Sequence, residues 1–232
     1  MNQQSTHTMS DAPTLPLEDA AEDAQSATGP GTVPVRKRPK PGERRSQILQ
    51  NLASMLEQPA GERITTAALA ARLDVSEAAL YRHFASKAQM FEGLIEFIEK
   101  SVFTLANQIV EREQGEDPEA GVRQSARIIA MLVQFAEKNP GMARVMVGDA
   151  LVFENERLQL RMNQFFDKIE ATLKQCLRAS AAPDALTPTI DAQVRASVLT
   201  AFVTGRLQRF VRSGFKRPPS EHLEVSLAAM LG

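Results

Sequence analysis

The chain has 232 residues, of which 43% are hydrophobic and 24% charged, and its formal net charge is −1 at neutral pH. This length and apolar content are enough for a sizeable core, and a single cysteine excludes an intramolecular disulfide framework and is typical of a reducing compartment. The sequence has no apolar run of about 18 residues and no basic-then-apolar signal segment. We therefore expect a cytoplasmic protein without a membrane span.

The first 43 residues predict a disordered tail, because they are rich in Pro, Gly, Ser, Thr and Ala and have too little apolar surface to offset the entropy of ordering. Residues 1–35 contain five acids and no Lys or Arg, so the remainder of the chain carries a net charge of +4. A basic arm follows, opposed only by Glu43. Such an arm favours contact with DNA phosphates or insertion into the minor groove, although a solubilising linker would have the same composition. Its cations are Arg36, Lys37, Arg38, Lys40, Arg44 and Arg45.

A first helix is predicted from about Arg44 to Gln58. It should end there because Pro59 disfavours helical geometry in the residue before it. Its apolar residues recur at helical spacing, at Ile48, Leu49, Leu52, Met55 and Leu56.

Residues 64–91 predict a helix-turn-helix, the motif that places one helix in the major groove of DNA. Thr65 or Thr66 can cap the first helix of the motif, and Ser76 can cap the second, which should run from Glu77 to about His83. A set of apolar residues would hold the two helices together at their steep crossing: Leu69, Ala70, Leu73, Val75, Leu80 and Phe84.

The rest of the chain predicts a helical body. Ser86 can cap a long connector helix that is apolar on more than one face and must therefore be covered from several directions. No segment shows the alternation of a strand, so the predicted fold class is all-α, with a helix-turn-helix domain at 44–91 and a helical domain at 92–232. Pro and Gly breaks separate further helices at about residues 119–138, 142–147, 151–179, 189–213 and 221–231.

The helix-turn-helix resembles that of the TetR family of DNA-binding regulators, over Val75-Ser76-Glu77-Ala78-Ala79-Leu80-Tyr81-Arg82-His83-Phe84-Ala85-Ser86-Lys87. It departs at Asp74, where the family commonly has Gly. Since Asp tolerates left-handed backbone better than most residues, we expect the turn to form. The resemblance implies a symmetric homodimer joined through about residues 151–179 and 189–213. Such a dimer places two recognition helices in successive major grooves of a palindromic site on double-stranded DNA.

Eleven residues of the head are expected to contact DNA. Thr65 would offer its hydroxyl to a phosphate, or would only cap its helix. Arg82 and Glu77 are the candidate base readers of the recognition helix, whereas Tyr81 and His83 resemble the family's phosphate-contacting positions. Packing is the alternative for His83. The full set, which ends with a phosphate-contacting lysine, is Arg44, Thr65, Thr66, Ser76, Glu77, Ala78, Ala79, Tyr81, Arg82, His83 and Lys87.

The body resembles a narrower group within that family, the nucleoid occlusion factors, over residues 150–159, 161–166 and 209–216. That resemblance implies a nucleoid-associated inhibitor of cell division which, when bound to DNA, binds the C-terminal tail of FtsZ and blocks assembly of the division ring. It places the FtsZ tail in a groove between the connector helix and the next long helix. The residues near this groove would be Ile95, Phe97, Leu132, Phe135, Lys138 and Asn139, of which Phe97 suits the core equally well.

A ligand-responsive TetR-type repressor is the alternative function. Its inducer pocket would be lined by aromatic residues such as Phe135, Phe165 and Phe202, but the sequence offers no obvious cluster of polar groups to orient a ligand. Catalysis and cofactor binding are not expected. Cys176 lies at core spacing, no metal-ligand spacing is present, and the chain's histidines are His7, His83 and His222.

Overall fold

The computed structural model describes residues 42–58, 64–113, 117, 119–179 and 188–232, and the predictions made for residues 1–41 lie outside this part of the chain. Within the described ranges the chain is helical and contains no strand, which confirms the predicted fold class. The helices are α1 (Glu43–Leu56), α2 (Thr66–Arg72), α3 (Glu77–Tyr81), α4 (Lys87–Arg112), α5 (Ala120–Lys138), α6 (Pro140–Met146), α7 (Glu156–Ala179), α8 (Pro188–Arg212) and α9 (Leu223–Leu231).

Helices α1 to α3 form the head, and the two predicted caps of its helix-turn-helix are confirmed. The Thr65 hydroxyl accepts a hydrogen bond from the backbone N–H of Ala68 at 3.1 Å, and the Ser76 hydroxyl accepts one from Ala79 at 3.3 Å. Asp74 has a φ of 53°, so it adopts the left-handed geometry expected of the turn. The side chain of Leu80 is buried beneath α3 and fixes which side of that helix faces outward.

The recognition helix is shorter than predicted. It ends at Tyr81, because the N–H groups of His83 and Phe84 both bond to the carbonyl of Leu80, at 2.9 and 3.1 Å, and close a tight turn. His83 therefore lies just after the helix, while Phe84 turns into the core with 1% of its surface exposed.

Helix α4 connects the head to the body. Ser86 caps it by accepting from Gln89 N–H at 3.2 Å, as predicted. It packs against α1, α5, α6 and α7, which explains why its apolar residues cover more than one face. Gly93 lets α1 approach closely, since a Cβ at this position would lie 3.1 Å from the Leu49 side chain.

Helix α6 joins the body to the end of α1. Pro140 stands at its first turn, where a missing N–H costs nothing. A Cβ on Gly141 would lie 2.1 Å from the carbonyl oxygen of Ala53, so only glycine permits this contact between the helices. Arg144 adds a hydrogen bond to the carbonyl of Leu56 at 3.3 Å. The head is therefore seated on the body through α6 as well as through α4.

Helices α7 and α8 pack along one another at the far side of the body. The sequence predicted one helix from residue 151, but residues 149–151 form a 3₁₀ turn and α7 begins at Glu156. The carboxamide oxygen of Asn155 accepts the backbone N–H of Arg157 at 3.1 Å, which sets the later start. Three apolar side chains spaced four residues apart on α8 are left exposed, namely Ile190, Val194 and Val198, at 63%, 56% and 47%.

In the described ranges, no helix combines the length and the apolar content that a membrane crossing requires.

Candidate DNA-binding face and partner-binding surface

The outer side of α3 is polar and open. Tyr81 is 46% exposed, and Glu77, Ala78 and Arg82 are also exposed, whereas Leu80 on the inner side is 1% exposed. A helix with one anchored side and one polar outward side, held across a short turn, has the geometry that enters a major groove.

A chain of hydrogen bonds ties α3 to α2. The hydroxyl of Tyr81 donates to Oγ1 of Thr66 at 3.5 Å, and the Thr66 hydroxyl donates to Oε2 of Glu77 at 2.5 Å. Glu77 and Tyr81 are one helical turn apart on α3, so Thr66 fixes two neighbouring side chains of the recognition helix. The Glu77 carboxylate is thus held by Thr66, while Arg82 has its side chain exposed at the end of α3.

The start of α1 lies beside the end of α3. The guanidinium of Arg45 lies 4.2 Å from the centre of the Phe84 ring and donates to the carbonyl of His83 at 3.2 Å. Arg44 is turned along α1 and donates to Oε1 of Gln47 at 3.0 Å. The start of α1 therefore lies next to the end of the recognition helix.

Lys87 is engaged with the body. Its Nζ lies 2.5 Å from Oε1 of Glu154, and the side chains of Lys87 and Glu154 are only 20% and 9% exposed. Glu154 was not predicted at this site, because it lies 67 residues from Lys87 in the chain and no local pattern links the two positions.

The eleven predicted DNA-contacting residues differ in their exposure. Thr65, Ser76, Glu77, Ala78, Tyr81, Arg82 and His83 are exposed, and Arg44, Thr66, Ala79 and Lys87 are half-buried. All of them lie on α1, on the helix-turn-helix, or in the first turn of α4. Their shared location is compatible with the predicted role, which stays a prediction for each residue.

The predicted partner groove requires a correction. Ile95, Leu132 and Phe135 are each 0% exposed, so they belong to the core between α4 and α5 and present no surface to a partner. Asn139 is 4% exposed and donates from its side-chain nitrogen to the carbonyl of Phe135 at 2.8 Å, where it links α5 to α6. These four residues were expected near a groove because of the resemblance to the nucleoid occlusion factors, and the packing of α4 and α5 places their side chains in the interior.

Phe97 and Lys138 are the two groove candidates that reach the surface. Phe97 is half-buried and packs against the core from α4, and Lys138 is exposed at the end of α5. Of the six predicted residues, these two have side chains that a partner can reach.

The aromatic residues proposed to line an inducer pocket mostly pack against protein. Phe135 and Phe165 are 0% exposed, and the Phe165 ring contacts those of Phe103 and Phe166 at centroid distances of 5.5 and 5.1 Å. Phe202 is half-buried beneath the guanidinium of Arg206.

Cys176 is also buried in the body, as its spacing predicted. Burial raises the pKa of its thiol to about 11. Burial and a raised pKa both lower the thiolate fraction, as expected of a cysteine that serves for packing.

Two family models match the two parts of the chain. Residues 49–94 match "Bacterial regulatory proteins, tetR family", and residues 121–231 match the SlmA-like "Tetracyclin repressor-like, C-terminal domain". The fold is also similar to that of two solved FadR regulators. These are FadR of Bacillus subtilis in complex with stearoyl-CoA, with a TM-score of 0.60, 13% identity and coverage of 80% of this chain and 97% of that one, and FadR of Bacillus halodurans, with a TM-score of 0.59, 16% identity and coverage of 84% and 97%.

Curated relatives extend over the head and the body together. "Nucleoid occlusion factor SlmA" of Idiomarina loihiensis is 48% identical over 81% of this chain and 93% of its own length. The proteins of the same name from Marinomonas sp. and Colwellia psychrerythraea are 50% identical over 78% of this chain and 90% of that protein, and 51% identical over 76% and 87%.

The fold and the exposed recognition helix are those of a DNA-binding regulator of the helix-turn-helix class. The chain belongs to the TetR family, in the group whose C-terminal domain is SlmA-like.

Proposed function

We propose that the protein is a nucleoid occlusion factor, which binds palindromic chromosomal sites as a homodimer and, when bound to DNA, binds the C-terminal tail of FtsZ and blocks division-ring assembly over the nucleoid. The observation that carries this function is identity of about half over roughly four-fifths of the chain, spanning both domains, with proteins named for nucleoid occlusion. The proposed place of action is the cytoplasm, at the nucleoid.

The polar side of α3 supports the DNA-binding step. Arg82 is an exposed guanidinium at the end of the recognition helix, and its planar donors suit base edges or a phosphate. Thr65 before α2, Tyr81 at the end of α3 and Lys87 at the start of α4 are the proposed phosphate contacts. Glu77 is the second proposed base reader, and the hydrogen bond from Thr66 orients its carboxylate before DNA arrives.

The exposed stripe on α8 supports the dimer. Ile190, Val194 and Val198 recur every four residues and lie on one side of the helix. Such a stripe on a helix already packed against α7 matches the predicted location of the dimer interface, and burying it against a second copy is favourable at about 25 cal/mol per Å² of apolar surface.

Phe97 and Lys138 support the partner-binding step. An extended segment with apolar and acidic residues would pack a side chain against Phe97 and pair a carboxylate with Lys138. Ile95 and Leu132 are buried and would then support the packing of α4 and α5 rather than contact the partner.

The first test is a map of the protein on its own chromosome by crosslinking and immunoprecipitation. Nucleoid occlusion predicts many palindromic sites spread over the chromosome and sparse near the replication terminus. One or two sites at promoters would reject it in favour of a ligand-responsive repressor.

The second test separates the partner site from the fold. Phe97→Ala should abolish binding of an FtsZ-tail peptide by the DNA-bound protein while leaving DNA affinity unchanged, as measured by fluorescence anisotropy. Leu105→Ala is the matched control, because Leu105 is also a half-buried apolar residue of α4, eight positions further on. Equal loss of peptide binding in both variants, or none in Phe97→Ala, would remove Phe97 from the site.

A further inference from the structure

Lys87 occupies a position where two acceptors compete for it. It is the first residue of α4, directly after the cap Ser86 and five residues after Arg82 at the end of the recognition helix. A helix N-terminus beside the DNA face favours a phosphate near this lysine. Yet the Lys87 ammonium already lies against the carboxylate of Glu154, which belongs to the body.

This ion pair is the end of a row that joins α4 to the α7 side of the body. The next pairs along the row are Glu92 with Arg157, at 2.7 Å, and Glu99 with Arg161, at 2.5 Å. In those two pairs the connector helix supplies the acid, whereas at Lys87 it supplies the cation. Lys87 is thus the cation of the row that lies directly after the helix-turn-helix, and Glu154 is the partner that must release it.

The segment that carries Glu154 lies at the surface, and the backbone N–H of Glu154 donates to the carbonyl of Leu151 at 3.0 Å. It follows the 3₁₀ turn, and Val152 and Phe153 expose 68% and 74% of their surface. Leu151 is buried and Asn155 caps α7, so both ends of the segment are anchored in the body. Between these anchors, the Glu154 carboxylate ties the segment to the first turn of α4.

We infer that Glu154 is a positioning residue that competes with the DNA backbone for Lys87. In the free protein Glu154 holds the lysine. On DNA the lysine transfers to a phosphate, the ion pair breaks, and residues 152–154 are released from the connector helix. Because coupling between two binding equilibria is reciprocal, the ion pair weakens DNA binding by the same factor by which DNA binding weakens the ion pair.

The inference rests on the DNA-binding part of the proposed function and is independent of FtsZ. The test measures the affinity for a duplex that carries the palindrome most enriched in the chromosome map, by fluorescence anisotropy, for the wild type, Glu154→Gln, Lys87→Gln and the double variant. Glu154→Gln should bind about five-fold more tightly, the factor expected for an ion pair at the upper end of the range for partly exposed pairs. The gain should vanish in the Lys87→Gln background.

Glu99→Gln is the matched control. It removes the carboxylate of another α4–α7 ion pair, about 18 Å further along α4 at roughly 1.5 Å per residue. It should leave DNA affinity unchanged. Unchanged or weaker binding by Glu154→Gln, a gain that persists without Lys87, or an equal gain in Glu99→Gln would each overturn the competition.

Hydrogen exchange gives a second measurement, which does not depend on DNA affinity. Backbone amides of residues 152–154 should exchange faster in the DNA complex than in the free protein, and Glu154→Gln should show the fast exchange without DNA. Unchanged or slower exchange on DNA would overturn the release of the segment. If the wild type binds no chromosomal palindrome, the proposed function itself fails, whereas binding without an effect of Glu154 removes only this inference.

Discussion

The DNA face of the head was predicted from the residues of the helix-turn-helix, whereas the groove between α4 and α5 was predicted from the resemblance of the body to the nucleoid occlusion factors, and the structure treats the two predictions differently. On α3, the residues expected to face outward are exposed, and Leu80 is buried on the other side. Between α4 and α5, Ile95, Leu132 and Phe135 are in the core. A surface helix with one apolar stripe has one possible orientation, whereas a helix that is apolar on several sides gives no sign of which side a partner can reach.

The largest effect is expected from truncating Phe135, which was predicted near the groove and lies in the core between α4 and α5. Phe135→Ala should lower the free energy of unfolding by about 3–5 kcal/mol, because it removes a fully buried ring and leaves a cavity. Chemical denaturation followed by circular dichroism measures this. A loss below about 1 kcal/mol together with lost FtsZ-tail binding would return Phe135 to a surface groove.

A second prediction sharpens the role of Thr65 on the DNA face. Thr65→Ala should lower DNA affinity roughly ten-fold if the hydroxyl also contacts a phosphate. It should cost about 1 kcal/mol of stability through the lost cap on Ala68 N–H.

Thr65→Ser is the control for that variant, since it keeps the hydroxyl and should preserve both properties. Affinity and stability are measured at a temperature where every variant is folded. If Thr65→Ala binds DNA as well as the wild type, Thr65 is a cap only.

The smallest expected effect concerns the reactivity of the Cys176 thiol. This measurement involves no substitution and reports only on the burial of Cys176 in α7. With a thiol pKa of about 11 instead of 9.0, the thiolate fraction at pH 8 is roughly a hundred-fold lower than for an exposed thiol. Alkylation by iodoacetamide should therefore be slow, should accelerate as the pH rises towards 11, and should become fast in denaturant. A rate that levels off near pH 9 in the folded protein would contradict the burial.

The sequence alone determined the features that depend on neighbours in the chain. The caps at Thr65, Ser76 and Ser86 formed where they were expected, and Asp74 adopted the left-handed turn, because each needs only a hydroxyl or a tolerant backbone a few residues from its partner. Helix boundaries were less certain. α3 ended at Tyr81, and α7 began at Glu156, because hydrogen bonds from His83, Phe84 and Arg157 decided the last and first turns.

Only the tertiary structure decided which apolar residues of α4 and α5 are internal and which charges meet. Phe97 differs from Ile95 by two positions on one helix, yet one reaches the surface and the other does not, since that depends on where α5 and α7 lie. Lys87 meets Glu154 across 67 residues of sequence because the connector helix brings the head beside the loop before α7. Periodicity records how a residue is placed on its own helix. The partner that it faces is set by the packing of whole helices.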